Sequence, residues 1–67
     1  MGETRTFSVP AMHCAHCERA VREEVAAVRG VSSVEVDLET KLVTVTGEAL
    51  DDNAVRAAIE EAGYEAA

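Results

Sequence analysis

A chain of 67 residues has room for one domain, 1–67, and buries only about 60% of its unfolded surface, so its core is small and a deep, walled substrate pocket is hard to build. Size therefore favours a binding or carrier module over an enzyme. Thirteen Asp and Glu against six Lys and Arg give a formal net charge of −7, with Phe7 and Tyr64 the only aromatics, which argues against nucleic acid and anionic membranes as partners because phosphate binding rests on Lys and Arg.

Near the start, TRTFSV alternates, with Phe7 and Val9 on one face and Thr6 and Ser8 on the other. This is the pattern of a half-buried strand, and Pro10 ends it because it has no N–H to give a ladder. From Ala15 to Val28 the apolar spacing becomes Cys17, Val21, Val25 and Val28, the stripe of an amphipathic helix, with Gly30 as its stop and Glu18, Arg19, Arg22, Glu23 and Arg29 on the other side. VEVDL and LVTVT then flank ETK, so Val34, Val36, Leu38, Val43 and Val45 share one face of a hairpin. A second helix opens at Asp51 as N-cap, with Leu50 and Val55 at hydrophobic-staple spacing and Asp52 where the helix dipole favours negative charge. Its buried stripe is Val55, Ala58, Ile59 and Ala62, and Gly63 fits the left-handed position that follows a helix. Residues 64–67 read as a short terminal strand. The order βαββαβ predicts an α+β, ferredoxin-like fold, a four-stranded antiparallel sheet with two helices on one face.

MHCAHC, Met12 to Cys17, holds both cysteines and both histidines of the chain. It falls where the first strand passes into the first helix, so both sulfurs can aim at one exposed point, and the helix N-terminus favours thiolate. Thiolate binds metal and attacks disulfides alike, so easy deprotonation leaves both chemistries open. No apolar run is long enough for a signal h-region or a membrane span, which predicts a cytoplasmic protein without membrane insertion. In that reducing compartment a CxxC binds metal or does redox chemistry rather than forming a structural disulfide. Ligand count separates the metals: a zinc site needs four ligands, usually in two pairs, and His13 and His16 inside the motif cannot easily wrap round the same ion. Two soft thiolates suit Cu(I), and an exposed, unsaturated ion can be taken over by ligand exchange, which a carrier requires. The enzymatic rival is a thioredoxin-like dithiol oxidoreductase. Its CxxC also opens a helix after a strand, but βαββαβ in 67 residues falls short of that fold.

TFSVPAMHCAHC, the hairpin GVSSVEVDLETKLVTV and AIEEAGY together cover nearly the whole chain, and they resemble the heavy-metal-associated domain family, in particular its small bacterial copper chaperones. MxCxxC at this place in a βαββαβ order is a specific signal, where a bare CxxC is a weak one. The resemblance implies Cu(I) as cargo, Cys14 and Cys17 as its ligands, and a P-type copper-transporting ATPase as recipient, with a copper-responsive regulator as a further partner. It implies an inward-packed Met12, a histidine between the cysteines (His16) as in many bacterial relatives, and Tyr64 in a loop near the metal. An apo monomer is expected, and the exposed two-coordinate ion leaves a copper-bridged dimer open. Carriers of Zn(II), Cd(II) or Hg(II) are the alternative within the binding class. One departure is Ala11, where the family usually has glycine; a positive φ there would strain alanine. The acidic helix residues Glu18, Glu23 and Glu24 read either as a docking face for a basic partner or as a solvated surface.

Overall fold

Alternation of apolar and polar residues produces strands with one dry face, and three such strands form the sheet. The computed structural model describes residues 2–66. Its elements are β1 (Glu3–Ser8), α1 (Ala15–Ala26), β2 (Val31–Asp37), β3 (Leu42–Gly47) and α2 (Asp52–Glu61), with the strands antiparallel in the order β1-β3-β2. The central strand β3 sets Val43 opposite Phe7 and Val36, and Val45 opposite Val34, so these residues share the face that carries the core. On the reverse face Thr6 and Glu35 flank Thr44, leaving a polar surface. Val31 also packs on the core, although three positions from Val34 would put it on the wrong face of a regular strand. A bulge between Val31 and Ser33 absorbs the odd residue, and Ser32 Oγ donates to the Thr46 carbonyl at 3.0 Å.

Both helices cover the apolar face. α1 buries Cys17, Val21 and Val25 and stops at Ala26, two residues before the expected end, although Val28 still packs on the core. α2 starts as its sequence predicts: the Asp51 carboxylate accepts from the N–H groups of Asn53 (2.9 Å) and Ala54 (3.4 Å), and Leu50 and Val55 both join the core. Two contacts tie this start to β1, the Leu50 N–H donating to Glu3 Oε1 at 2.9 Å and Arg5 Nε pairing with Asp52 at 3.2 Å. Gly30 has φ +91°, and its carbonyl accepts from the Glu48 N–H at 2.9 Å. A Cβ on Gly30 would collide with the Glu48 carbonyl, and one on Gly47 with the Gly30 carbonyl, so the α1–β2 turn and the end of β3 touch backbone to backbone.

The arrangement is the expected ferredoxin-like one with one difference in the sheet. The fourth strand expected over 64–67 is absent over Tyr64–Ala66, and Ala67 lies outside the described residues, so the described sheet has three strands. The cause is the end of α2. Gly63, at φ +98°, sends its N–H to the Glu60 carbonyl at 2.9 Å, and Tyr64 sends its own to Ile59 at 3.2 Å, which is a Schellman motif. The amide of Tyr64 is thus committed to the helix, and only two described residues remain to build a ladder.

Candidate metal centre

The site is built on a loop held from below. Val9 to Met12 form a turn closed by the Met12 N–H on the Val9 carbonyl at 3.1 Å, and the Met12 side chain is fully buried among the core residues. Methionine fills an irregular space there, as expected, and does not face the exposed site. Cys14 follows in an extended conformation (φ −148°, ψ 165°) as the N-cap of α1. Its Sγ accepts from the Cys17 N–H at 3.4 Å, the bond a capping Ser or Asp would make, and its carbonyl accepts the first helical bond from Glu18 at 3.0 Å. Cys17 lies one turn on, buried, while Cys14 is half-buried, and the two free thiol sulfurs are 2.8 Å apart.

That contact sets the charge of the pair. The Cys17 thiol is lowered from 9.0 to about 6, first by the hydrogen bond from Cys14, then by one from the Tyr64 hydroxyl, then by the backbone N–H of His13, with burial pulling the other way. The Tyr64 hydroxyl is raised in turn, chiefly because its proton is held by the Cys17 sulfur. At neutral pH Cys17 is therefore largely thiolate. Because the folded value is depressed, the associated stability is present above the unfolded value and is lost as pH falls through about 6. Alkylation of Cys17, followed by peptide mass mapping, is expected to titrate with a midpoint near 6. The midpoint should rise more in Cys14→Ala than in Tyr64→Phe, the order of the two hydrogen bonds; a wild-type midpoint near that of a free thiol would contradict the geometry.

The motif's remaining residues take distinct places. His13 turns its ring back onto the loop, Nδ1 lying 2.7 Å from the Ala11 carbonyl, and His16 is exposed on the first turn of α1. Ala11 is unstrained, since positive φ among the described non-glycine residues is confined to Lys41 and Ala49. Among the described residues no group of three or more His, Cys, Asp and Glu gathers to hold an ion, so a closed four-ligand zinc site is not formed. Glu18 pairs with Arg22 at 3.4 Å, while Glu23 and Glu24 are exposed. The capping role of Cys14 and the ring of His13 escaped sequence reasoning: cysteine is not among the residues by which N-caps are recognised, and a ring-to-carbonyl bond over two residues has no spacing signature. What remains is a two-sulfur donor set, suited to a soft ion of low coordination number or to thiol–disulfide exchange.

Comparison with known proteins bears on that choice. Residues 6–65 match the family model of the heavy-metal-associated domain. The copper chaperone CopZ of Bacillus subtilis is 39% identical over 67 residues, covering 97% of each chain. Copper-transporting ATPase 1 of Rhizobium meliloti is 46% identical over 61 residues, which are 88% of this chain but only 7% of the ATPase. The periplasmic component of mercuric transport from Serratia marcescens is 39% identical over 67 residues, covering 92% of this chain and 70% of that protein. Among solved structures, a CopZ metallochaperone superposes with a TM-score of 0.91 at 30% identity, covering 97% of this chain and all of that one.

Proposed function

The chain belongs to the heavy-metal-associated domain family, a family of metal carriers, and from that membership we propose that it binds Cu(I) through Cys14 and Cys17 and hands it, in the cytoplasm, to a P-type copper-transporting ATPase. The observation that carries this reading is the pair of sulfurs 2.8 Å apart at a helix N-terminus with no third His, Cys, Asp or Glu gathered round them among the described residues. Cu(I) prefers sulfur and is content with two ligands. Cys17 enters largely as thiolate, and any thiol proton still on the pair is released to solvent as the cation takes its place. The helix N-terminus offsets the negative charge that two thiolates leave on one ion.

Transfer follows from the unequal settings of the two sulfurs. Cys17 is buried within the first turn of α1, whereas Cys14 caps the helix from the loop and is half-exposed. A thiolate of the recipient adds to the ion to give three sulfurs, the bond to Cys14 opens, and a second recipient thiolate then displaces Cys17. Each step exchanges one copper–sulfur bond for another, so tight binding and fast transfer are compatible.

Stopped-flow transfer to a metal-binding domain of a copper-transporting ATPase, beside a small chelator of matched affinity, tests the proposal. With a net charge of −7 on the carrier, transfer to a basic recipient face should be faster than to the chelator and should slow as salt rises through about 0.1 M, where the Debye length is about 10 Å. Equal rates, indifferent to salt, would favour copper buffering. A second reading is carriage of Hg(II), favoured by the identity to mercuric transport proteins and by the same two-thiolate donor set. Competition of the two ions for the reduced protein separates them.

A further inference from the structure

We propose that His13 is a positioning residue of the metal loop: its Nδ1–H clasps the Ala11 carbonyl and so fixes the peptide that leads into Cys14. The contact is short, 2.7 Å, at the tight end of the N–H···O range. A carbonyl oxygen only accepts, so the ring proton must sit on Nδ1, and the neutral imidazole then keeps its lone pair on Nε2. The bond spans two residues and closes a small ring round Met12. Met12 is already pinned twice, by its fully buried side chain and by its N–H on the Val9 carbonyl. With the clasp, the loop from Val9 to His13 is held on both sides of Met12, which together with Val9 anchors it in the core.

Both sulfurs depend on that segment. Cys14 is the next residue, and its extended conformation as N-cap is set by how the loop arrives at α1. Cys17 follows in the first turn of the helix that Cys14 caps, its sulfur 2.8 Å from that of Cys14, so a loop that swings free shifts both. The ring therefore serves the site through backbone geometry. With Nδ1 occupied by Ala11, it is not bound to the ion through that atom. The clasp uses the carbonyl of residue 11 and not its side chain, so it places no demand on which side chain stands there.

The inference deepens the copper reading, but only its last test rests on that reading. In apo protein labelled with 15N-histidine, long-range 1H–15N correlation at a pH where the ring is neutral is expected to show His13 as the Nδ1–H tautomer; an Nε2–H tautomer overturns the proposal. His13→Ala should speed hydrogen exchange of the Met12 amide about fivefold, the worth of one ordinary hydrogen bond. His13→Asn should restore most of the protection, because asparagine Nδ2 lies as many bonds from Cα as histidine Nδ1. Unchanged exchange in the alanine variant, or no rescue by asparagine, overturns the clasp. Competition against a Cu(I) chelator should show the same pattern, about fivefold weaker in His13→Ala and recovered in His13→Asn. A loss that asparagine fails to recover would make His13 a ligand instead. Wild-type protein with the Nδ1–H tautomer and a protected Met12 amide, but no Cu(I) binding, supports the clasp and overturns the proposed function.

Discussion

Serine at position 14 or at position 17 is expected to weaken Cu(I) binding by far more than a hundredfold while leaving the fold in place. The donor set consists of two sulfurs, 2.8 Å apart, with no third group gathered among the described residues. Loss of an outer partner of a metal ligand already costs about 10–100-fold, so loss of one of two ligands must cost more. The two variants also separate binding from folding. Cys14 caps α1 through its side chain, and serine is among the best N-caps, so Cys14→Ser should keep or improve the helix start. Cys17→Ser puts a hydroxyl in a buried place beside Cys14, where it can still accept a hydrogen bond. Chelator competition measures the affinity, and circular-dichroism melts of the apo variants measure the fold. Tight binding retained by the double serine variant would remove Cys14 and Cys17 from the proposal, whereas apo variants that fail to fold would show that the thiols are structural.

Copper loading should raise the thermal midpoint by a large margin. Binding to the native state alone adds RT ln(1 + [L]/Kd), about 4 kcal/mol at a thousandfold excess over Kd. A domain of this size gains about 4–8 °C per kcal/mol, which gives a rise of about 15–30 °C. The core against which this acts is small: one phenylalanine, one methionine, one isoleucine and a set of valines make up its larger fully or nearly buried side chains. Such a core supplies only about 3–5 kcal/mol, so a loaded chain should be close to twice as stable as an apo one. Anaerobic calorimetry of reduced protein with and without buffered Cu(I) makes the measurement. An unchanged midpoint would mean that the site is not formed as described, or that the unfolded chain binds the ion equally well.

The elements that read clearly in the sequence are those whose signals are local and periodic. The hairpin follows from alternation over Val34–Leu38 and Val43–Thr46, and its register places Val34 opposite Val45 and Val36 opposite Val43. α2 is legible from Asp51, Leu50 and Gly63, each of which acts as expected. The departures arise where backbone groups have competing partners. Tyr64 looks like the start of a strand by composition, but its N–H is taken by Ile59 at the end of α2, a choice that the side-chain pattern does not record. Val31 is out of phase with its strand, and only the bulge at Ser32 reconciles it with the core. At the site, CxxC spacing and its place before a helix predicted two converging sulfurs, and they do converge. Which sulfur is protected was legible too: Cys17 falls on the apolar stripe with Val21 and Val25 and turns inward with them, while Cys14 precedes the helix and stays half-buried at the mouth.

The Schellman closure at Gly63, which ends α2 and delivers Tyr64 to the thiolate, also equips the molecule with an optical gauge. Tyr64 is the only tyrosine, and there is no tryptophan. Emission in the tyrosine band therefore arises wholly from a phenol close enough to the Cys17 sulfur for each to shift the other's proton affinity. An ion captured by that sulfur competes for the electron pair that the phenol uses. Occupancy can thus be followed in the unlabelled chain, at a residue whose surroundings loading alters, with no background from any other tyrosine or tryptophan.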